Sequence, residues 1–284
     1  MAILLKGAPV AAELEVRQRG AVSALRDKGV TPTLGIVRVG EREGDLAYER
    51  GAAKRCGSAG VDVRRFVLPA GASQDDLLSL IRRLNGDKSV HGLLLLRPLP
   101  GHMDEDAVRG AVAPEKDVDG ITDASLAGVF TGASGGFAPC TARACIEILG
   151  HYGYDLKGKR VTVVGRSLVV GKPAAMMLLN MHATVTVCHT RTADMPAVCR
   201  GAEILIAAAG RAGVIGRDCF SPGQVVIDVG INAGEGGGLC GDADFDAADK
   251  IVGAITPVPG GVGAVTSSVL ADHVITAARR ACGV

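Results

Sequence analysis

The sequence predicts a two-domain α/β protein, and three observations predict it. β-branched runs alternate with stretches of helical periodicity along the whole chain. Residues 161–164 form one such run that stops at Gly165; after a short loop, Gly171 and Pro173 open a helical segment. The 284 residues are more than one ordinary core needs, so a cleft between two domains is expected, where small-molecule sites concentrate.

Residues 10–28 read as an amphipathic helix, 33–39 as a strand, and 45–59 as a helix closed by Gly60. A strand over 61–68, a helix over 74–84 and a buried strand over 92–96 follow, the last halted by Pro98 and Pro100. Residues 101–124 are rich in turn formers, 125–130 read as a short helix, and Pro139-Cys140-Thr141 opens a helix to about 149. The polar segment 151–159 reads as a hinge. Beyond it the pattern predicts strand 161–164, helix 172–181, strand 184–188, helix 194–200, strands 203–208, 225–229 and 251–254, and a helix over 266–281. The glycine-rich residues 233–238 read as a hairpin turn.

A formal net charge of +1 gives no global field toward nucleic acid or a membrane surface. With 48% hydrophobic residues, 40 glycines and no tryptophan, the core is expected to be aliphatic and the turns tight. The cysteines at 56, 140, 145, 188, 199, 219, 240 and 282 show no Cys-x-x-Cys pair and no metal-ligand spacing, so reduced thiols and no metal site are expected. No secretory leader and no apolar run of about 18 residues is found, and the cytoplasm is the expected location.

The strand–glycine loop–helix at 161–173 is how an α/β protein offers backbone N–H groups to a phosphate, although an ordinary strand-to-helix turn has the same outline. Where an acidic residue would select NAD, the strand 184–188 ends in His189-Thr190-Arg191-Thr192. With Arg166 in the loop itself, this suits a 2′-phosphate and favours NADP. Ala207-Ala208-Ala209-Gly210 ends the next strand with small residues that permit close approach. Asp228 is expected to be a buried hydrogen-bond partner, and 255–263 a rigid backbone wall.

Taken together, Gly165-Arg166-Ser167-x-x-Val170-Gly171-x-Pro173, the segment 226–232 and Thr256-Pro-Val-Pro-Gly-Gly-Val-Gly263 resemble the methylenetetrahydrofolate dehydrogenase/cyclohydrolase family. So do Val39-Gly40, Tyr48, Asn85-x-Asp87, Pro98-Leu99-Pro100, Lys116-Asp117-Val118-Asp119-Gly120 and Pro139-Cys140-Thr141. The resemblance implies a homodimer whose subunit has a folate domain, residues 1–145 plus 266–284, and a Rossmann-type NADP domain, residues 146–265. It implies that Tyr48 stands over the one-carbon centre and that Asp119 accepts hydrogen bonds from the pterin. Leu96, Pro98, Leu99, Pro259, Gly260 and Gly261 would line the tetrahydrofolate substrate. Gly165, Arg166, Ser167, Gly171, His189, Thr190, Arg191, Ala209, Gly210 and Ile231 would contact NADP.

Two positions depart from the family. Its helix reads Tyr-x-x-x-Lys, but here the fourth residue after Tyr48 is Ala52. Lys54 lies roughly 160° further round the helix. The strand the family ends with Gln-Leu-Pro-Leu-Pro is Leu96-Arg97-Pro98-Leu99-Pro100. Strand alternation aims Arg97 away from the face of Leu96. Because both members of one interacting pair are absent, the expected activity is NADP-dependent oxidation of 5,10-methylenetetrahydrofolate in one-carbon metabolism, with weak or absent cyclohydrolase activity and a separate cyclohydrolase beside it. The alternatives are a fully bifunctional enzyme, a non-catalytic NADP- or folate-binding protein, and another two-domain NADP dehydrogenase acting on a small acid.

Overall fold

The computed structural model describes residues 1–133, 135–234 and 237–283. In chain order the first elements are β1 (Ile3–Leu4), α1 (Gly7–Arg26), β2 (Thr33–Val39), α2 (Glu43–Ala59), β3 (Asp62–Leu68), α3 (Gln74–Gly86) and β4 (Gly92–Leu95). Next come α4 (Glu105–Gly110), a 3-10 turn at Pro114–Lys116, α5 (Asp123–Thr131) and α6 (Cys140–His151). The second series is β5 (Arg160–Val164), α7 (Gly171–Asn180), β6 (Thr184–Cys188), α8 (Met195–Arg200), β7 (Ile204–Ala207) and β8 (Val225–Asp228). The chain closes with β9 (Asn232–Ala233), β10 (Leu239–Cys240), α9 (Phe245–Asp249), β11 (Ala254–Ile255) and α10 (Val262–Ala281).

Two compact units result, Glu13–Cys140 with Ser267–Val284, and Met1–Ala12 with Thr141–Thr266. The first is built on a parallel sheet ordered β3-β2-β4. Its central strand β2 is wholly buried, and Val37, Val39, Leu93 and Leu95 pack with Leu77, Ile81 and Leu84 of α3. That helix starts at a reciprocal cap, Ser73 accepting from the Asp76 amide while Asp76 accepts from that of Ser73. Gly60 ends α2 in the left-handed conformation.

The second unit carries a sheet ordered β1-β11-β8-β7-β5-β6, every pair parallel. From β5 the chain moves outward to β6 and then returns to the other side as β7. The order therefore reverses between β5 and β7, where open α/β sheets bind ligands beyond the carboxyl ends of their strands. The core here joins Val164, Cys188, Leu205, Ala207, Val226 and Ile255.

Several expectations are corrected. Residues 1–12 belong to the second unit, because β1 completes the edge of β11: Ile3 and Leu5 donate to Gly253 and Ile255, each at 2.9 Å. A two-residue strand has no periodicity to read. The strand expected at 251–254 is Ala254–Ile255, preceded by α9, whose first turn Asp244 caps. The turn-rich 101–124 contains α4, capped by Asp104, and the 3-10 turn. At 233–238, Ala233 and Leu239 pair antiparallel, while residues 235 and 236 lie outside the described residues.

A Cβ on Gly165 (φ +127°) would stand 2.0 Å from the Ala208 carbonyl oxygen. Gly51, inside α2, has open space there. Gly165→Ala is expected to destabilise the protein by about 2 kcal/mol or more, and Gly51→Ala to stabilise it by roughly 0.5–1 kcal/mol. Thermal unfolding of the two variants, read on one scale, checks the opposite signs.

Candidate active site

In the first unit the pentapeptide Lys116–Gly120 divides its labour residue by residue. Lys116 donates to the Leu84 and Asp87 carbonyls, both at 2.7 Å, tying the loop to the end of α3. Asp117 is fully buried and accepts from the Ile121 amide (3.0 Å), the Thr122 amide (2.8 Å), the Thr122 hydroxyl (2.7 Å) and the Ser125 hydroxyl (2.6 Å). The Val118 carbonyl accepts from Cys140 Sγ at 3.3 Å and His273 Nδ1 at 2.9 Å. Gly120, at φ +72°, presses on the backbone of Phe137 to Pro139, where a Cβ would lie 2.6 Å from the Phe137 oxygen. The Asp119 carboxyl lies in a desolvated setting with Arg97, Asp117 and Cys140 around it.

Desolvation lifts the Asp119 carboxyl to about 6, with the Arg97 charge pulling it back down and Asp117 adding to the rise. Tyr48 of α2 joins this cluster. Burial of its hydroxyl end, then the Asp119 charge and the thiols Cys140 and Cys56, hold the phenol well above its ordinary range. The residue as a whole remains 38% exposed. Tyr48 is therefore a protonated donor at neutral pH beside an acceptor that is mostly ionised. Burial, followed by Asp119, likewise keeps Cys140 a thiol.

The structure places Ala52 at 0% and Leu96 at 5% exposure, while Lys54 is exposed. β4 ends at Leu95, so strand alternation no longer governs Arg97; its guanidinium pairs with Glu105 at 3.1 Å and its charge reaches Asp119. Pro98 is exposed. The Leu99 side chain instead enters the core against α3 and α4, and its amide donates to Glu105 at 3.1 Å. Sequence reasoning missed an ionic triad at the residue next to Tyr48, in which Glu49 binds Arg38 at 3.0 Å and Arg65 at 2.7 Å. Arg38 and Glu49, each 6% exposed, leave no periodicity signal beyond charges in apolar positions.

In the second unit, loops after β5, β6, β7, β8 and β11 share the carboxyl edge of one sheet. They carry Gly165–Gly171, His189–Arg191, Ala209–Gly210, Ile231 and Pro259–Gly261. A Cβ on Gly171 would lie 2.2 Å from the Gly165 oxygen, so the turn accepts bare backbone only. Ser167 Oγ accepts the Val170 and Gly171 amides at 3.1 and 3.4 Å. Arg166 and Arg191 are exposed, and His189 Nδ1 accepts the Arg191 amide at 3.1 Å.

Asp228 is the buried partner expected of it, accepting the Gly230, Asp242 and Ala243 amides at 3.0, 3.0 and 2.9 Å. Burial lifts its carboxyl to about 6 despite those donors. Asp242 in turn accepts the Gly210 and Arg211 amides at 2.8 and 2.9 Å. A cavity of about 370 Å³ lies between Val229–Ile231 and the wall Pro257–Ala264. Among the described residues no group of three His, Cys, Asp or Glu is placed to hold a metal, and no helix is long and apolar enough to cross a membrane.

Residues 5–119 match the catalytic domain of tetrahydrofolate dehydrogenase/cyclohydrolase, and residues 139–282 its NAD(P)-binding domain. The bifunctional protein FolD of Carboxydothermus hydrogenoformans is 50% identical over 98% of this chain and 97% of its own. That of Clostridioides difficile is 48% identical over 97% and 96%. Among solved structures, the bifunctional FolD methylenetetrahydrofolate dehydrogenase/cyclohydrolase of Campylobacter jejuni superposes with a TM-score of 0.95 at 36% identity, covering 99% of both chains. The Trypanosoma brucei enzyme, complexed with NADP cofactor and inhibitor, gives 0.93 at 34%, covering 100% of this chain and 99% of its own. With two separate domains matched in order and relatives this similar along their full length, the chain belongs to the tetrahydrofolate dehydrogenase/cyclohydrolase family.

Proposed function

We propose that this chain oxidises 5,10-methylenetetrahydrofolate to the 5,10-methenyl compound with NADP and hydrolyses that product, as a cytoplasmic homodimeric enzyme of one-carbon metabolism. The full-length similarity to proteins named bifunctional supports both half-reactions. The observation with most weight in the site is the pairing of a protonated Tyr48 with an acceptor Asp119 in one desolvated cluster. A folate ring offers amino and ring N–H donors that an ionised Asp119 accepts.

The turn Gly165–Gly171 fits a dinucleotide, since side chains at either glycine would collide with backbone. The end of β6 carries Arg191 and no carboxylate, which supports NADP over NAD. NADP, when bound, supplies the hydride acceptor. In this reading Arg166, Ser167, Thr190 and Arg191 bind and orient the nucleotide, and the Pro259–Gly261 backbone aligns substrate and cofactor faces. Oxidation asks for alignment, with no obligatory protein base.

A second reading, dehydrogenase with weak cyclohydrolase activity, is favoured by Ala52 and Leu96, which put buried apolar side chains where an amine and its amide partner would serve the water step. NADP reduction and methenyltetrahydrofolate decay, measured on one preparation, separate the readings. Both are expected to be enzyme-dependent. Loss of the second alone selects the weak-cyclohydrolase reading, and loss of the first refutes the dehydrogenase. The double variant Ala52→Lys/Leu96→Gln is expected to change hydrolysis by less than about threefold; a gain of roughly a hundredfold would select the second reading.

Because folate binding uses the Asp119 carboxylate, kcat/KM for methylenetetrahydrofolate is expected to fall as pH drops through about 6, and Arg97→Leu to move that limb upward. The sign for stability is the reverse. A carboxyl raised on folding contributes stability below its ordinary range, and that contribution is lost as pH rises through about 6. pH–rate profiles of the two proteins check the first claim; an unmoved limb in Arg97→Leu contradicts it.

A further inference from the structure

Two hydrogen-bond donors from distant parts of the chain converge on one carbonyl, that of Val118, the residue before Asp119. His273 on α10 approaches within 2.9 Å across 155 residues of sequence. Cys140, the first residue of α6, approaches within 3.3 Å. A carbonyl has two lone pairs, so both can be accepted. An imidazole nitrogen facing a carbonyl must carry a proton, which fixes the Nδ1–H form of His273. That nitrogen, 3.7 Å from Cys140 Sγ, cannot accept the thiol proton, so the S–H turns to Val118 and the neighbouring Asp119.

We infer that His273 and Cys140 together form a latch on the Val118 carbonyl that positions Asp119, making His273 a positioning residue of the proposed folate site. The inference rests on the folate reading given above. His273 is itself held: it is only 8% exposed, and Phe137 packs on its ring with centroids 4.9 Å apart. Arg280, about two turns further along α10, lies over the Phe137 ring at 4.7 Å and donates to the Gly136 carbonyl at 3.1 Å.

On the other side of Asp119, Asp117 clamps the Ile121 and Thr122 amides. Asp119 therefore sits between two fixed points, with Tyr48, Arg97, Asp117 and Cys140 as the ionisable groups facing it. Freeing the Val118 peptide lets the carboxyl turn out of register with Tyr48. Small misplacements of a positioning group are felt strongly in turnover.

The test compares His273→Leu, which removes the donor, with His273→Asn, which keeps an N–H at a similar reach. KM is measured separately for methylenetetrahydrofolate and NADP. The Asp119 carboxyl is also titrated by carbon-13 NMR in the ligand-free full chain. His273→Leu is expected to raise the folate KM roughly tenfold, the size of one net hydrogen bond, to leave the NADP KM unchanged and to move the Asp119 midpoint. His273→Asn is expected to restore both. An unchanged folate KM and midpoint in His273→Leu, or equal defects in the two variants, overturns the latch. Should His273→Leu fail to fold, Cys140→Ala against Cys140→Ser decides the same point by removing or keeping the second donor. If the wild-type chain turns over no folate, the proposed function fails, and the Asp119 midpoint still decides the latch.

Discussion

The carboxylate of Asp117 is the contact on which the order of the Lys116–Ser125 segment depends. It is buried and is satisfied by two amides and two hydroxyls drawn from Ile121, Thr122 and Ser125. Four donors on one carboxylate are strong charge-assisted bonds, and losing any of them leaves buried charge underpaired. The segment from Lys116 to Ser125 is thereby turned into a rigid hook that holds Asp119 in place. Ser125 also accepts the Phe137 amide at 3.3 Å, which carries the same order to the segment beneath His273.

The nucleotide-side unit uses the same device. Asp228 and Asp242 are buried acids held by backbone amides: Asp228, at the end of β8, accepts from the segment after β10, and Asp242 in that segment accepts from the loop after β7. Close glycine contacts complete it: a Cβ on Gly241 would stand 1.8 Å from Asp228 Oδ2, and one on Gly230 2.3 Å from Asp242 Oδ1. Loops so tightly satisfied present their remaining N–H groups without having to reorganise, which is the condition for effective electrostatic preorganisation.

In α2 and at the end of β4, Ala52 and Leu96 are apolar and buried, while Glu49, next to Tyr48 in the chain, engages Arg38 and Arg65. A buried ion pair adds little net stability after desolvation, but it fixes which way a helix faces. Here the Glu49 pairs join α2 to β2 and β3, while Lys54 of the same helix is exposed. Arg97 supplies the nearby positive charge from a loop, clamped by Glu105.

Much of this was legible in the residue order. The periodicity of 33–39 and 74–84 marks elements that the structure reproduces nearly residue for residue, because β2 is buried throughout and α3 buries one face; 184–188 is reproduced from its β-branched run although most of it is exposed. The loops that cradle ligands were marked by glycines and prolines whose local conformations are restricted wherever they occur. Contacts between remote segments left no such mark. The strand Ile3–Leu4 exists only because β11 needs a partner, Arg97 escapes alternation only because β4 ends one residue early, and the convergence of Cys140 and His273 on Val118 requires three segments to meet. Local chemistry is written in neighbours along the chain, whereas satisfaction of a buried carbonyl or carboxylate depends on whichever distant donors the packing delivers.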